Sequence, residues 1–127
     1  TQTRCFIHVH DAVRAVRRLL DTPDAEGEIF NVGRPEEISI KHLAERVREV
    51  AGSSSEITYV PYEEAYGPGF EDMKRRTPDI SKLEDAIDFA PAFSLEDILQ
   101  DVIDDVRART EGAGRAAAGD GATTSSA

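Results

Sequence analysis

Apolar positions along this chain follow two periods. Val13, Val16, Leu19 and Leu20 fall on one helical face, with Asp11 placed to cap it and Pro23 just past its end. Ser39 is set to cap a second helix, in which Ile40, Leu43, Ala44, Val47 and Val50 repeat at helical spacing up to Gly52. Ser81 to Ile87 predicts a short helix. Ser94 precedes a longer one, with Leu95, Ile98, Leu99, Val102 and Val106 on its apolar side. Three other runs are β-rich: Cys5–Val9, Gly27–Gly33 between its two glycines, and Glu56–Val60 before Pro61. Pro61 to Asp72, rich in Tyr, Pro and Gly, reads as a loop. The order β-α-β-α-β-loop-α-α predicts an α/β segment with about four helices.

From Glu111 to Ala127 the chain contains no Ile, Leu, Val, Phe or Tyr. Such a stretch buries too little apolar surface to offset its ordering entropy. The expectation is a folded region over 1–110 and a disordered low-complexity tail over 111–127. Two features also suggest a piece of a longer protein. The chain starts at Thr1 with Met73 as its only methionine, and it starts almost on a β-rich run.

The 127 residues carry 25 acidic and 15 basic side chains, a formal charge of −10. That balance argues against non-specific nucleic-acid binding, which requires a basic footprint. No apolar run approaches the ~20 residues of a membrane span, and Thr1 to Val9 lacks the apolar core of a signal peptide. The lone Cys5 excludes an internal disulfide framework and fits a reducing, cytoplasmic setting.

Few residues advertise chemistry. There is no G-x-G-x-x-G, no phosphate loop of the G-x-x-x-x-G-K-[ST] type, and no tyrosine followed four residues later by lysine. The Ser53-Ser54-Ser55 run after Gly52 reads as a turn. His8 and His10 share a strand face and would need a third partner such as Asp11 to hold a metal; the expectation is none. Cys5 reads as a small core residue. Glu63-Glu64 and Glu71-Asp72 read as solvated loop faces. The basic residues leave two alternatives open. Lys74-Arg75-Arg76 either pair with Glu71 and Asp72 or join Arg4 in a local anion site, since guanidinium forks match phosphate oxygens.

A family resemblance bears on that choice. Thr3-Arg4-Cys5-Phe6-Ile7-His8-Val9-x-Asp11 resembles the T-R-x-F-x-x-V-x-D segment of the NAD-dependent epimerase/dehydratases, the extended short-chain dehydrogenase/reductases. Later features follow in the family's order. Glu28-Ile29-Phe30-Asn31-Val32-Gly33 is similar to its F-N-[VL]-G strand, and Glu36 to Ile40 to the segment that enters its next helix. Gly52 to Ile57 resembles the turn that follows, and Arg75-Arg76-Thr77-Pro78-Asp79-Ile80-Ser81-Lys82 the R-x-P-D-x-x-K block. Phe89-Ala90-Pro91 stands where the family has G-W-x-P, so that Asp88 replaces a turn glycine. The likeness runs from about Thr1 to Val106 and is similar in particular to UDP-glucose 4-epimerases and UDP-glucuronate decarboxylases.

The resemblance implies an α/β fold: the C-terminal part of an extended short-chain dehydrogenase/reductase, with the Rossmann NAD-binding half missing. It implies that the chain binds the nucleotide sugar, a UDP-sugar, while NAD and the catalytic tyrosine–lysine pair belong to the missing half. No residue here is assigned to catalysis; the resemblance implies that the parent protein is an NAD-dependent nucleotide-sugar epimerase/dehydratase and leaves open whether the isolated chain is an enzyme. By motif position Arg4 grips the substrate diphosphate, and one of Arg75 and Arg76 is the second arm, Arg76 matching better. The parent enzyme is expected to be a cytoplasmic homodimer. The alternative is a non-catalytic binding or interaction module that has kept the fold. A fragment of this kind should also leave apolar residues near Phe30 and Val32 poorly covered.

Overall fold

The computed structural model describes residues 2–61, 64, 73 and 75–119, with side chains as far as Gly112. Strand β1 (Thr3–Cys5) pairs antiparallel with β2 (Glu37–Ser39), in the register Thr3 to Ser39, Arg4 to Ile38 and Cys5 to Glu37. Helix α1 spans Val9–Leu20, a 3-10 turn covers Pro23–Ala25, and α2 (Ile40–Val50) follows β2 directly. Helix α3 (Ser81–Ile87) and α4 (Leu95–Gly119) complete an α/β segment of four helices and one two-stranded sheet among the described residues.

The helices form where periodicity places them, because their hydrogen bonds are local. Ser39 Oγ accepts from the His42 amide at 3.1 Å and starts α2. Gly52, at φ 62°, ends it: the Ser53 amide donates to Arg48 O and the Gly52 amide to Glu49 O, both at 3.0 Å, the Schellman pattern. At α4 Ser94 Oγ accepts from the Asp97 amide at 3.2 Å, and Asp97 accepts from the Ser94 amide at 2.7 Å.

Three expectations need correction. Helix α1 starts at Val9, capped by His8, whose Nδ1 accepts from the His10 amide at 3.1 Å. Asp11 therefore sits inside the first turn, and the expected strand Cys5–Val9 is reduced to the upstream Thr3–Cys5. Gly27–Gly33 and Glu56–Val60 form no strand among the described residues. A strand exists only through a neighbouring ladder, and neither segment has one. Finally, α4 continues in helical conformation to Gly119, past Thr110, so nine residues assigned to the tail are helical. Residues 120–127 lie outside the described ones, as do Tyr62, Glu63, Lys74 and nearly all of the expected loop.

The core is small. Ala15, Ile80, Leu83 and Phe89 are buried together, and Ile7, Leu19, Phe30, Val32 and Ile87 pack partly against them. Phe89 reaches this core through an unusual residue. Asp88 ends α3 at φ 47° and ψ 52°, the left-handed conformation normally left to glycine, and the chain then turns Phe89 inward to 2 % exposure. The resemblance places a glycine at this position. Here aspartate, one of the residues that tolerates that region, makes the same turn.

Candidate functional site

The β1–β2 ladder and the core bring three separate segments around one cleft of about 650 Å³. Strand β1 contributes Arg4 and Cys5, the extended run before β2 contributes Asn31 to Arg34, and the segment before α3 contributes Arg76 to Asp79. The last two segments are tied directly. Asn31 Nδ2 donates to Asp79 O at 3.2 Å, and Gly33 lies against the ring of Pro78.

Of the three arginines singled out from sequence, Arg4 and Arg76 line this cleft although 72 positions separate them. Arg4 is half-buried, and its Nη1 donates to Thr3 O at 2.7 Å and to Met73 O at 2.9 Å. Arg76 is exposed and makes no hydrogen bond or ion pair with the described residues. Arg75 turns elsewhere. Its Nε donates to both Glu37 oxygens at 2.8 and 2.9 Å, and its Nη2 to Oε2 at 2.6 Å. That fork, together with the Thr3 hydroxyl, holds the Glu37 carboxyl down at about 2. Adjacent residues in an extended segment face opposite ways, so the neighbour of a cleft residue is free to pair with the β2 side of the sheet.

Arg34 also lines the cleft, and sequence reasoning missed it. It is 20 % exposed, bonded to Glu36 through Nε and to Phe93 O through Nη1. The available signal was its place, a cation directly after Asn31-Val32-Gly33 in a strongly acidic chain.

The remaining candidates serve structure. His8, 4 % exposed, stacks on Phe93 with ring centroids 4.1 Å apart, and its Nε2 meets Asp101 Oδ2 at 2.9 Å. Asp11 is fully buried and accepts from the amides of Ala92 and Phe93 and from Arg14 Nη2 at 2.5 Å. Burial pushes its carboxyl up, but these donors outweigh that and leave it below the usual aspartate range. Asp11 and His8 thus bond to separate partners, His10 packs edge-on to the Phe93 ring, and no group of three metal-ligating side chains occurs among the described residues. Burial pushes the Cys5 thiol up, which disfavours the reactive thiolate. Glu71, Asp72 and Lys74 lie outside the described residues.

No family model matches the chain. Individual proteins do. A UDP-N-acetyl-alpha-D-glucosaminuronate decarboxylase of Bacillus cytotoxicus is 41% identical over 102 residues, which is 80% of this chain and 32% of that protein. UDP-D-apiose/UDP-D-xylose synthase 2 of Arabidopsis thaliana is 35% identical over 109 residues, 79% of this chain and 28% of that protein. Among solved structures, a Bacillus cereus UDP-glucuronic acid 4-epimerase, in complex with a fluorinated UDP-glucuronic acid and NAD, superposes with a TM-score of 0.68 at 28% identity. The match covers 83% of this chain and 33% of that one. A Thermotoga maritima UDP-glucose 4-epimerase with UDP-glucose shares the fold at a TM-score of 0.74 and 24% identity, over 86% of this chain and 33% of its own. The chain spans about a third of the length of the curated relatives it matches. Over about four fifths of its length it is homologous to one segment of the UDP-sugar decarboxylases and epimerases of the NAD-dependent epimerase/dehydratase family, the extended short-chain dehydrogenase/reductases.

Proposed function

We propose that this chain is the nucleotide-sugar-binding part of an NAD-dependent UDP-sugar epimerase, dehydratase or decarboxylase, with Arg4 and Arg76 as the two arms of a diphosphate clamp. The observation that carries the reading is their convergence on one cleft from segments far apart in sequence, Arg76 without a partner among the described residues. Two guanidinium groups suit two phosphoryl groups. Each charge-assisted contact is worth roughly 1.5–3 kcal/mol, so a monophosphate forfeits one of them. Arg75 is already paired with Glu37 and contributes less.

In this reading residues 1–110 are the binding region and 111–127 a low-complexity extension whose first nine residues continue α4, and the parent enzyme is a cytoplasmic homodimer. No described helix is long and apolar enough to cross a membrane. NAD, when bound, supplies the hydride chemistry, and the described residues do not fit it. Of the described glycines, Gly27 follows a 3-10 turn, Gly33 precedes β2, Gly52 closes α2, and Gly112, Gly114 and Gly119 lie within α4, and none joins a strand to a helix in the manner of a dinucleotide cradle. This chain's own task is to bind and orient.

The test is calorimetric titration of UDP and UMP into the full enzyme containing this chain. Wild type should favour UDP. Arg4→Ala and Arg76→Ala should each weaken UDP about ten-fold or more, since one lost contact of that size sets the scale. Arg75→Ala should do less. Equal affinity for the two nucleotides, or no loss on removing Arg4, would refute the clamp.

A further inference from the structure

Gly33 is surrounded by cleft residues and has no charge of its own, yet the geometry points to it as a positioning residue for Arg76. We infer that the missing side chain at Gly33 lets the Pro78 ring seat against the Asn31–Gly33 run, and that this seat sets the distance between the two cationic arms. The inference rests on the diphosphate reading of the cleft and deepens it.

A backbone argument does not explain this glycine. Gly27 and Gly52 have positive φ, whereas Gly33 does not, so an L-residue could adopt its conformation. Space is the constraint. A Cβ on Gly33 would lie 2.7 Å from Pro78 Cγ and 3.2 Å from Pro78 Cβ, both too close. A long flexible side chain could swing away from such a contact. The proline ring cannot, because it is closed onto its own backbone nitrogen and its φ is locked. One of the two backbones must therefore move, and the Gly33 side is held by Val32 packed against the core and by the Asn31 bond to Asp79 O, which leaves the Pro78 side to shift.

That backbone carries the clamp. Arg76 stands two residues before Pro78, and Asp79, one residue after it, accepts the Asn31 side-chain hydrogen bond that ties the same two segments. On the far side the segment is anchored by Ile80, 4 % exposed, and by Asp79 Oδ1, which accepts from Ser81 at the start of α3. The strain of a Gly33 side chain cannot be relieved toward α3. It is relieved toward the exposed Arg76, moving it relative to Arg4, which β1 pairing and the bonds to Thr3 O and Met73 O hold in place. A clamp with a changed span discriminates less between one phosphoryl group and two.

The experiment uses the full chain with inorganic pyrophosphate and orthophosphate as probes, followed by amide shift changes in NMR titrations, beside thermal melts without ligand. Wild type should prefer pyrophosphate. Gly33→Ala should lower pyrophosphate affinity about ten-fold, the scale of one lost charged contact, with a smaller change for orthophosphate. Pro78→Ala removes Cγ, the nearer atom, and leaves only the 3.2 Å Cβ contact, so Gly33→Ala with Pro78→Ala should recover most of the preference and of the melting temperature. Arg76→Ala should abolish the preference alone, with no further loss on adding Gly33→Ala. If wild type shows no preference, the clamp reading fails. If wild type prefers pyrophosphate and Gly33→Ala leaves that preference intact, the positioning role fails. Should Gly33→Ala unfold the chain, folding of the double variant upholds the Gly33–Pro78 contact, and failure of the double variant to fold overturns it.

Discussion

The two faces of α1 meet opposite surroundings. On one face Asp11 and Ala15 are completely buried, the first under the 89–94 segment and the second in the core. On the other face Val9, Val13, Val16 and Leu20 are 64, 60, 52 and 82 % exposed, although all four are apolar. Ile29, at 85 %, lies in the extended run nearby, and Val16, Leu20 and Phe30 line a shared apolar groove. The difference shows that the described residues complete the packing on only one side of this helix. The inner face is held by a buried carboxylate with backbone donors. The outer face has the composition of a core without its cover, in line with a chain that matches a third of its relatives' length.

The largest expected effect breaks the inner side. Asp11→Asn removes the charge that accepts from the Ala92 and Phe93 amides and from Arg14, and it should cost about 2–4 kcal/mol, as the loss of a buried charged acceptor does. Urea denaturation measures it. The acid limb carries the same information. The Asp11 carboxyl is held below its ordinary value in the fold, so its contribution is present above the unfolded value of about 3.9 and is lost as pH falls through the folded one. Stability of wild type should drop across that window, and the Asp11→Asn protein should show a shallower acid limb. An unchanged limb would remove Asp11 from the account.

A smaller effect, of opposite sign, comes from Asp88. Glycine adopts left-handed backbone without the Cβ penalty, so Asp88→Gly should stabilise the chain by up to about 1 kcal/mol, seen as a raised melting temperature. A lowered melting temperature would mean that the Asp88 side chain does more than tolerate the turn.

The smallest effect sharpens the comparison. Val13→Glu and Leu20→Glu, on the open face, should change stability by no more than about 0.5 kcal/mol and should reduce binding of a hydrophobic dye. A cost above about 2 kcal/mol would show that this chain covers the face itself.

Local chemistry made part of this molecule readable in advance. The helical spacing of Leu43, Val47 and Val50, the caps at Ser39 and Ser94, and the stop at Gly52 depend on neighbours within a turn or two, so sequence alone determined α2, α3 and the start of α4. Composition misjudged 111–119, where alanine-rich sequence continues a helix already nucleated upstream, since extension is far easier than initiation. Motif order pointed to Arg4 and Arg76, but not to their meeting in one cleft, to the pairing of Arg75 with Glu37, or to the presence of Arg34.

Strands and the cleft were decided only by tertiary structure. Residues Thr3 to Cys5 become β1 because Glu37 to Ser39 lies beside them. The stronger β-former run Ile29 to Val32 stays unpaired because no strand among the described residues reaches it. The seat of Pro78 on Gly33 likewise joins residues 45 positions apart. A helix carries its hydrogen-bond partners in its own sequence. A strand, a clamp or a close contact takes them from elsewhere in the chain, so its existence follows from packing.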